Sequence, residues 1–227
     1  RIWDLSGLTI YSGFIDAYAQ FGKEVESPKQ NQPAHWNTEV FPQRSVLDAV
    51  TISQDDVKKR RELGFATAHL VPTGGIFSGK GAVVQMTAPE AASFVLKRRA
   101  SQHLAFVTLG STYPKSLMGC LALIRQTLSD ADWYRRYKQV YKQHPNEIRP
   151  GEHVALNALE ATVSRKEPVF FHLGDEADVQ RALAIADQYK LRRVLVDSGH
   201  GYRQAKRFRR SGTELVLSID FPEAPIV

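Results

Sequence analysis

Two histidines carry the strongest chemical signal in this sequence. His172 closes the run Val169-Phe-Phe-His172, and His200 follows Val194-Leu-Val-Asp-Ser-Gly. Each sits at or just past the end of a short β-branched or aromatic segment. Where such segments are parallel strands, their C-terminal ends form the edge at which ligands and metals bind. Neutral imidazole suits zinc, but a catalytic zinc usually has three protein ligands and a water. The pair therefore reads as part of a metal site that needs a further ligand. A strand-end histidine taken singly reads as a hydrogen-bonded structural residue.

Other constellations carry less. Gly74-Gly75-Ile76-Phe77-Ser78-Gly79-Lys80-Gly81 has phosphate-loop spacing up to its lysine, but Gly81 stands where Ser or Thr would hold Mg²⁺. The following Ala82-Val-Val-Gln-Met reads as a strand, where a phosphate site needs a helix N-terminus. A glycine-rich turn between strands is expected. The basic run Arg203, Lys206, Arg207, Arg209 and Arg210, near Lys190, Arg192 and Arg193, reads as a solvated crossover helix burying Tyr202, Ala205 and Phe208. Asp197-Ser198-Gly199-His200 is too local for a hydrolytic triad, and no G-x-S-x-G elbow occurs. Cys120, among Met118, Leu121 and Leu123, reads as packing.

Elements must position these groups. The chain has 227 residues, 43% hydrophobic, enough for one large domain or two small ones. One cysteine excludes a disulfide framework and a CxxC pair. A net charge of +6 is too low for a dedicated nucleic-acid binder, and no apolar run approaches the roughly 20 residues of a membrane helix. Neither a nucleic acid nor a membrane is an expected partner. Strands are predicted over Leu8–Ile15, Phe65–Val71, Ala82–Met86, Leu104–Leu109, Val169–His172, Arg193–Asp197 and Glu214–Ile219. Helices are predicted over Gln54–Leu63, capped by Ser53, and over Ser116–His144, Glu152–Arg165, Asp175–Tyr189 and Tyr202–Arg210. The alternation in the second half predicts a parallel sheet with crossover helices, either doubly wound or a (β/α) barrel.

Several segments together resemble the amidohydrolase superfamily, especially its imidazolonepropionase-like branch. Ile2-Trp-Asp-Leu-Ser-Gly-Leu-Thr-Ile-Tyr-Ser-Gly-Phe-Ile-Asp-Ala17 is similar to that family's passage from a small β-sandwich into its first barrel strand. Pro168-Val-Phe-Phe-His172 resembles the fifth strand, and Leu195-Val-Asp-Ser-Gly-His200-Gly the sixth. His35-Trp36-Asn37, Gly74–Gly81 and Gln102-His103-Leu104-Ala105-Phe106 resemble segments of a divergent bacterial subgroup. The resemblance implies a (β/α)8 barrel of the metal-dependent hydrolase kind, incomplete at its C-terminal end. Residues 1–10 would end a preceding β-sandwich segment, and 11–227 would form the partial barrel. It also implies a divalent metal, zinc or another, on His172 and His200.

The departures from that family are specific. Its first strand carries His-x-His, and this chain reads Tyr18-Ala19-Gln20. A phenol with a pKa near ~10 is a poor zinc ligand at neutral pH, and an amide carbonyl is a weak one. The family's catalytic aspartate follows an eighth strand, expected beyond Val227. Two expectations follow. One is metal-assisted hydrolysis of a non-peptide carbon–nitrogen bond of an unidentified small molecule, in a longer parent chain. The other is a non-catalytic barrel that serves as a scaffold or partner-binding domain. Tyr18, Gln20 and Asp197 are the expected substrate contacts; Asp16 and Asp220 are more simply a buried hydrogen-bonding residue and a loop or cap contact. Any export signal would lie upstream of Arg1, so no compartment is expected.

Overall fold

The β-branched and aromatic runs become strands because a pleated, half-buried surface suits them, and the segments with a single apolar face become helices. The computed structural model describes residues 4–25, 35–108, 110, 112–197, 199 and 201–217. The strands are β1 (Phe14–Ala19), β2 (Lys23–Glu24), β3 (Val50–Thr51), β4 (Phe65–Leu70), β5 (Phe77–Gln85), β6 (Val95–Ala105), β7 (Pro168–His172), β8 (Arg192–Val196) and β9 (Glu214–Val216). The helices are α1 (Val46–Ala49), α2 (Gln54–Glu62), α3 (Leu117–Gln143), α4 (Val154–Ala158), α5 (Glu160–Val163), α6 (Asp178–Gln188) and α7 (Ala205–Ser211). Ser53 and Asp56 form a reciprocal capping box that starts α2, and the Ser116 hydroxyl accepts from the Gly119 amide at the start of α3.

Seven strands form one mixed sheet in the order β1-β4-β5-β6-β7-β8-β9. The expected parallel alternation holds for β6 through β9, and β1 is also parallel to β4. It does not hold between β4 and β6. There the connections span only residues 71–76 and 86–94, shorter than the dozen or so residues a parallel crossover needs. Both pairings are accordingly antiparallel. The observed arrangement is a curled mixed sheet, where an all-parallel (β/α)8 barrel was expected.

The curl follows from one distance. On a flat sheet β1 and β7, four strand steps apart, would lie roughly 19 Å from each other. Yet the Tyr18 hydroxyl of β1 is 2.9 Å from Nδ1 of His172 on β7. The sheet therefore wraps around its own inner face. Alternation along the strands splits the core accordingly: Val169, Phe171, Leu104 and Leu195 pack outward against Leu123 and Ile124 of α3 and Ile185 of α6. Phe170, Val194 and Val196 point inward, with Tyr18 and Val216 against them.

Five local expectations change. The strand predicted over Leu104–Leu109 runs Val95–Ala105 instead, sharing only Leu104 and Ala105 with that range. The first strand runs from Phe14, not Leu8; Leu8, Ile10 and Tyr11 are exposed and join no strand. The Glu152–Arg165 helix breaks at Leu159 into α4 and α5. In the basic α7, Phe208 is buried as expected, but Ala205 is exposed. The glycine-rich segment is only partly a turn. Gly74 and Gly75 take φ of 76° and 79° there, where glycine alone is unstrained. Gly79, Lys80 and Gly81 lie inside β5, and no helix follows, so the nucleotide-loop reading fails.

Candidate functional site

The inner face of the curled sheet holds a continuous belt of hydrogen bonds. It begins on β4, where Nδ1 of His69 is 3.1 Å from the Ala17 carbonyl of β1, at a slip in the β1–β4 register between Asp16 and Ala19. His69 Nε2 is 2.7 Å from the Ser101 hydroxyl on β6, which is 2.8 Å from Nε2 of His103. His103 Nδ1 is 3.0 Å from Nε2 of His172 on β7. His172 Nδ1 then meets Tyr18, two residues along from Asp16 on β1, and the Gln20 amide nitrogen closes the series 3.2 Å from the Tyr18 oxygen. The belt thus runs from the Ala17 carbonyl of β1 round to Gln20, one residue past that strand.

The proton order along the belt is unique when the three imidazoles are neutral. Burial holds them so: it pushes His69 down, His103 well down, and His172 to about 4. Neighbouring imidazoles add to the effect at His103. A carbonyl only accepts, so His69 donates from Nδ1 and its Nε2 is a lone pair. The Ser101 hydrogen must fill that lone pair, leaving its oxygen to accept from His103 Nε2. His103 Nδ1 is then an acceptor, which His172 fills from Nε2. Tyr18 donates to the remaining His172 lone pair, and Gln20 donates to Tyr18. Six bonds run in one direction.

Gly81 makes the belt fit. It lies opposite Ser101 in the β5–β6 ladder. A Cβ there would stand 2.5 Å from both His69 Nε2 and Ser101 Oγ, and 2.8 Å from His103 Nε2. Its neighbour Lys80 points to the other face of β5. There it is 2% exposed and paired with Glu167, which also accepts from the Thr162 hydroxyl at 2.5 Å. Burial lowers the Lys80 pKa, and Glu167 opposes that shift.

Sequence reasoning picked out Tyr18, Gln20 and His172, and the fold brings these three together. It assigned no chemical role to His69, Ser101, His103 or Gly81. The signal available was His69 within the predicted strand Phe65–Val71 and Ser101-Gln102-His103, a Ser-x-His pair at strand spacing. Asp16 is half-buried and accepts from the Tyr18 amide at 3.0 Å. Asp197 follows β8, where its amide bonds the Val216 carbonyl. Cys120 is buried in the outer core, its thiol pushed up to about 11. His200 and Asp220 lie outside the described residues.

As arranged here, the described donors do not fit a zinc ion. His172 has both ring nitrogens engaged, and Tyr18 and Gln20 are poor zinc donors. No group of three or more His, Cys, Asp or Glu converges on a metal position among the described residues.

No family model and no curated protein matches the chain. Among solved structures, an amidohydrolase from Thermotoga maritima superposes with a TM-score of 0.77 over 96% of this chain, at 20% identity. The fold is amidohydrolase-like. The chain spans 61% of that protein's length, and at this identity the likeness is one of fold alone. In the amidohydrolase-like sheet, β1, β4, β6, β7 and β8 all point their C-terminal ends to one edge, because they are mutually parallel directly or through the antiparallel β5. Tyr18 and His172 stand at that edge, with His69 and His103 set deeper. None of the described helices is long and apolar enough to cross a membrane.

Proposed function

We propose that this chain is an amidohydrolase-like barrel that binds a small polar ligand at the C-terminal edge of its strands, without a metal on His172. The observation that carries this reading is the saturation of His172. A metal ligand needs a free lone pair, and both His172 nitrogens are already committed within the belt. Tyr18 and Gln20 support it further, since they hold the first-strand positions where the resembled family carries two metal ligands. In this reading the belt is a rigid polar core that fixes Tyr18 and presents Gln20 to the ligand.

The second reading is hydrolysis of a non-peptide carbon–nitrogen bond assisted by zinc on His172 and His200, as the imidazolonepropionase-like segments suggest. One observation favours it: Val196, which pairs with His172 in the β7–β8 ladder, ends β8 beside the end of β7, and His200 follows it four residues later in the sequence. Bound there, the metal would supply an activated water.

Metal content separates the two. The full-length protein, purified without chelator or metal resin, is measured by plasma mass spectrometry beside its His172→Ala variant. The binding reading expects well below one zinc, iron or manganese per chain, and no uptake from added zinc. About one metal per chain, lost in His172→Ala, establishes the hydrolase reading instead.

A further inference from the structure

The end of the sheet opposite Tyr18 and His172 carries a second polar groove. Lys97 and Arg99 lie in the first half of β6, Lys166 and Glu167 immediately precede β7, and these two strands are parallel. With Lys80 of β5 and residues of α4 and α5, they line a groove of about 360 Å³ at the N-terminal edge. It lies away from the ligand edge of the proposed function and does not rest on that reading.

The charge of this groove is unbalanced: Lys80, Lys97, Arg99 and Lys166 stand against Glu160 and Glu167. Both carboxylates are already engaged. Glu167 accepts from Lys80 and from the Thr162 hydroxyl. Glu160 accepts from Lys138 at 2.8 Å, and that bond, reinforced by the charges of Lys142 and Lys166, holds its carboxyl below the ordinary value. The side chains of Lys97, Arg99 and Lys166 make no hydrogen bond or ion pair with any described residue.

The floor supplies an independent observation. Lys80 is buried, and as an ammonium it carries three N–H hydrogens, of which one goes to Glu167. Its other donors have no partner among the described residues. Burial lowers the Lys80 pKa, Glu167 opposes that, and the charge of Arg99 pushes it further down. Lys80 and Arg99 thus stand close enough to repel. An anion that touches both replaces that repulsion with two attractions.

We infer that this groove binds a multivalent oxyanion, a phosphate group carried free or on a small molecule. The planar fork of Arg99 suits two phosphate oxygens, Lys97 and Lys166 add charge at the rim, and Lys80 donates from the floor. A doubly charged anion matches the excess of cations, which a monocarboxylate would leave half compensated.

Calorimetric titration of the full-length protein with inorganic phosphate, at pH 7.5 and low ionic strength, tests the assignment, with acetate as the monovalent control. The expected result is saturable phosphate binding and no measurable binding of acetate. Arg99→Gln should weaken phosphate about tenfold, because it removes charge-assisted bonds. Arg209→Gln removes the same charge from an exposed position on α7 and should leave the affinity unchanged. Lys80→Met with Glu167→Leu keeps the net charge and should still weaken phosphate several-fold, because the floor donors are gone. Arg99 is exposed, so its variant should fold and decides the matter even where the buried double variant does not fold. No saturable phosphate binding, equal binding of acetate, unchanged affinity in Arg99→Gln, or an equal loss in Arg209→Gln overturns the inference. Unchanged affinity in a folded double variant overturns it as well.

Discussion

Tyr18 and His172 are 154 positions apart in the chain, and their side chains meet at 2.9 Å across the inner face of the sheet. That contact links one edge strand to the fifth strand in the sheet, so it helps hold the curl. It also takes up the histidine nitrogen that a metal would need. Structure and chemistry are coupled at this bond, and the predictions below test it from several sides.

The proton order of the belt can be read directly. Imidazole ¹⁵N shifts at pH 7.5 should show His69 protonated at Nδ1, and His103 and His172 protonated at Nε2. A reversed tautomer at any of the three would break the order.

Gly81→Ala should destabilise the protein by roughly 2–4 kcal/mol, because the added methyl meets two belt atoms at 2.5 Å in a core that cannot relax freely. Gly151→Ala, with nothing within 4 Å of the added carbon, should stay within about 0.5 kcal/mol of the parent. Urea midpoints measure both. Equal midpoints for the two variants would refute the close packing at Gly81.

Acid should loosen the belt. His172 has its pKa lowered from 6.5 to about 4, so it stays neutral in the folded state while the unfolded chain takes up a proton. Its contribution is complete above pH 6.5 and is lost as pH falls through 4, by up to roughly 3 kcal/mol. His69 and His103 shift in the same direction, with Asp16 opposing the shift at His69 and Lys80 reinforcing it at His103. The urea midpoint should fall between pH 7 and 5, and His172→Gln should flatten that fall. A midpoint that does not change over this range would contradict the burial of the three rings.

The ion pair behind β5 gives an independent test. Glu167→Gln leaves Lys80 buried with no carboxylate to oppose its desolvation, and should cost about 3–5 kcal/mol. The double variant Lys80→Met with Glu167→Leu removes both charges and should recover most of that loss. A double variant as unstable as Glu167→Gln would show that packing, not charge, dominates there.

Much of this architecture was legible locally. Ser53 and Ser116 mark helix starts, and Val169–His172, Arg193–Asp197 and the helices around them lie close to where the structure has them. These are short-range signals: capping geometry, a single apolar helix face, and β-branched runs bounded by turns. Tyr18 and Gln20 stood out against the resembled motif because they occupy the positions where that family carries two metal ligands.

The belt itself was not legible, because its partners are far apart in sequence. Gly81 reads as a turn residue, and only antiparallel pairing with β6 sets it against Ser101 as the gap the belt crosses. Lys80 reads as part of a glycine-rich turn, and only its place within β5 and strand alternation turn it to the opposite face and onto Glu167. His69 and His103 become chemically meaningful when the sheet curls and brings β1 within hydrogen-bonding reach of β7. Composition and spacing thus determined most of the elements, but not all of their ends. Sheet register and curvature, set by long-range pairing, decided which polar groups meet and in which direction their hydrogens point.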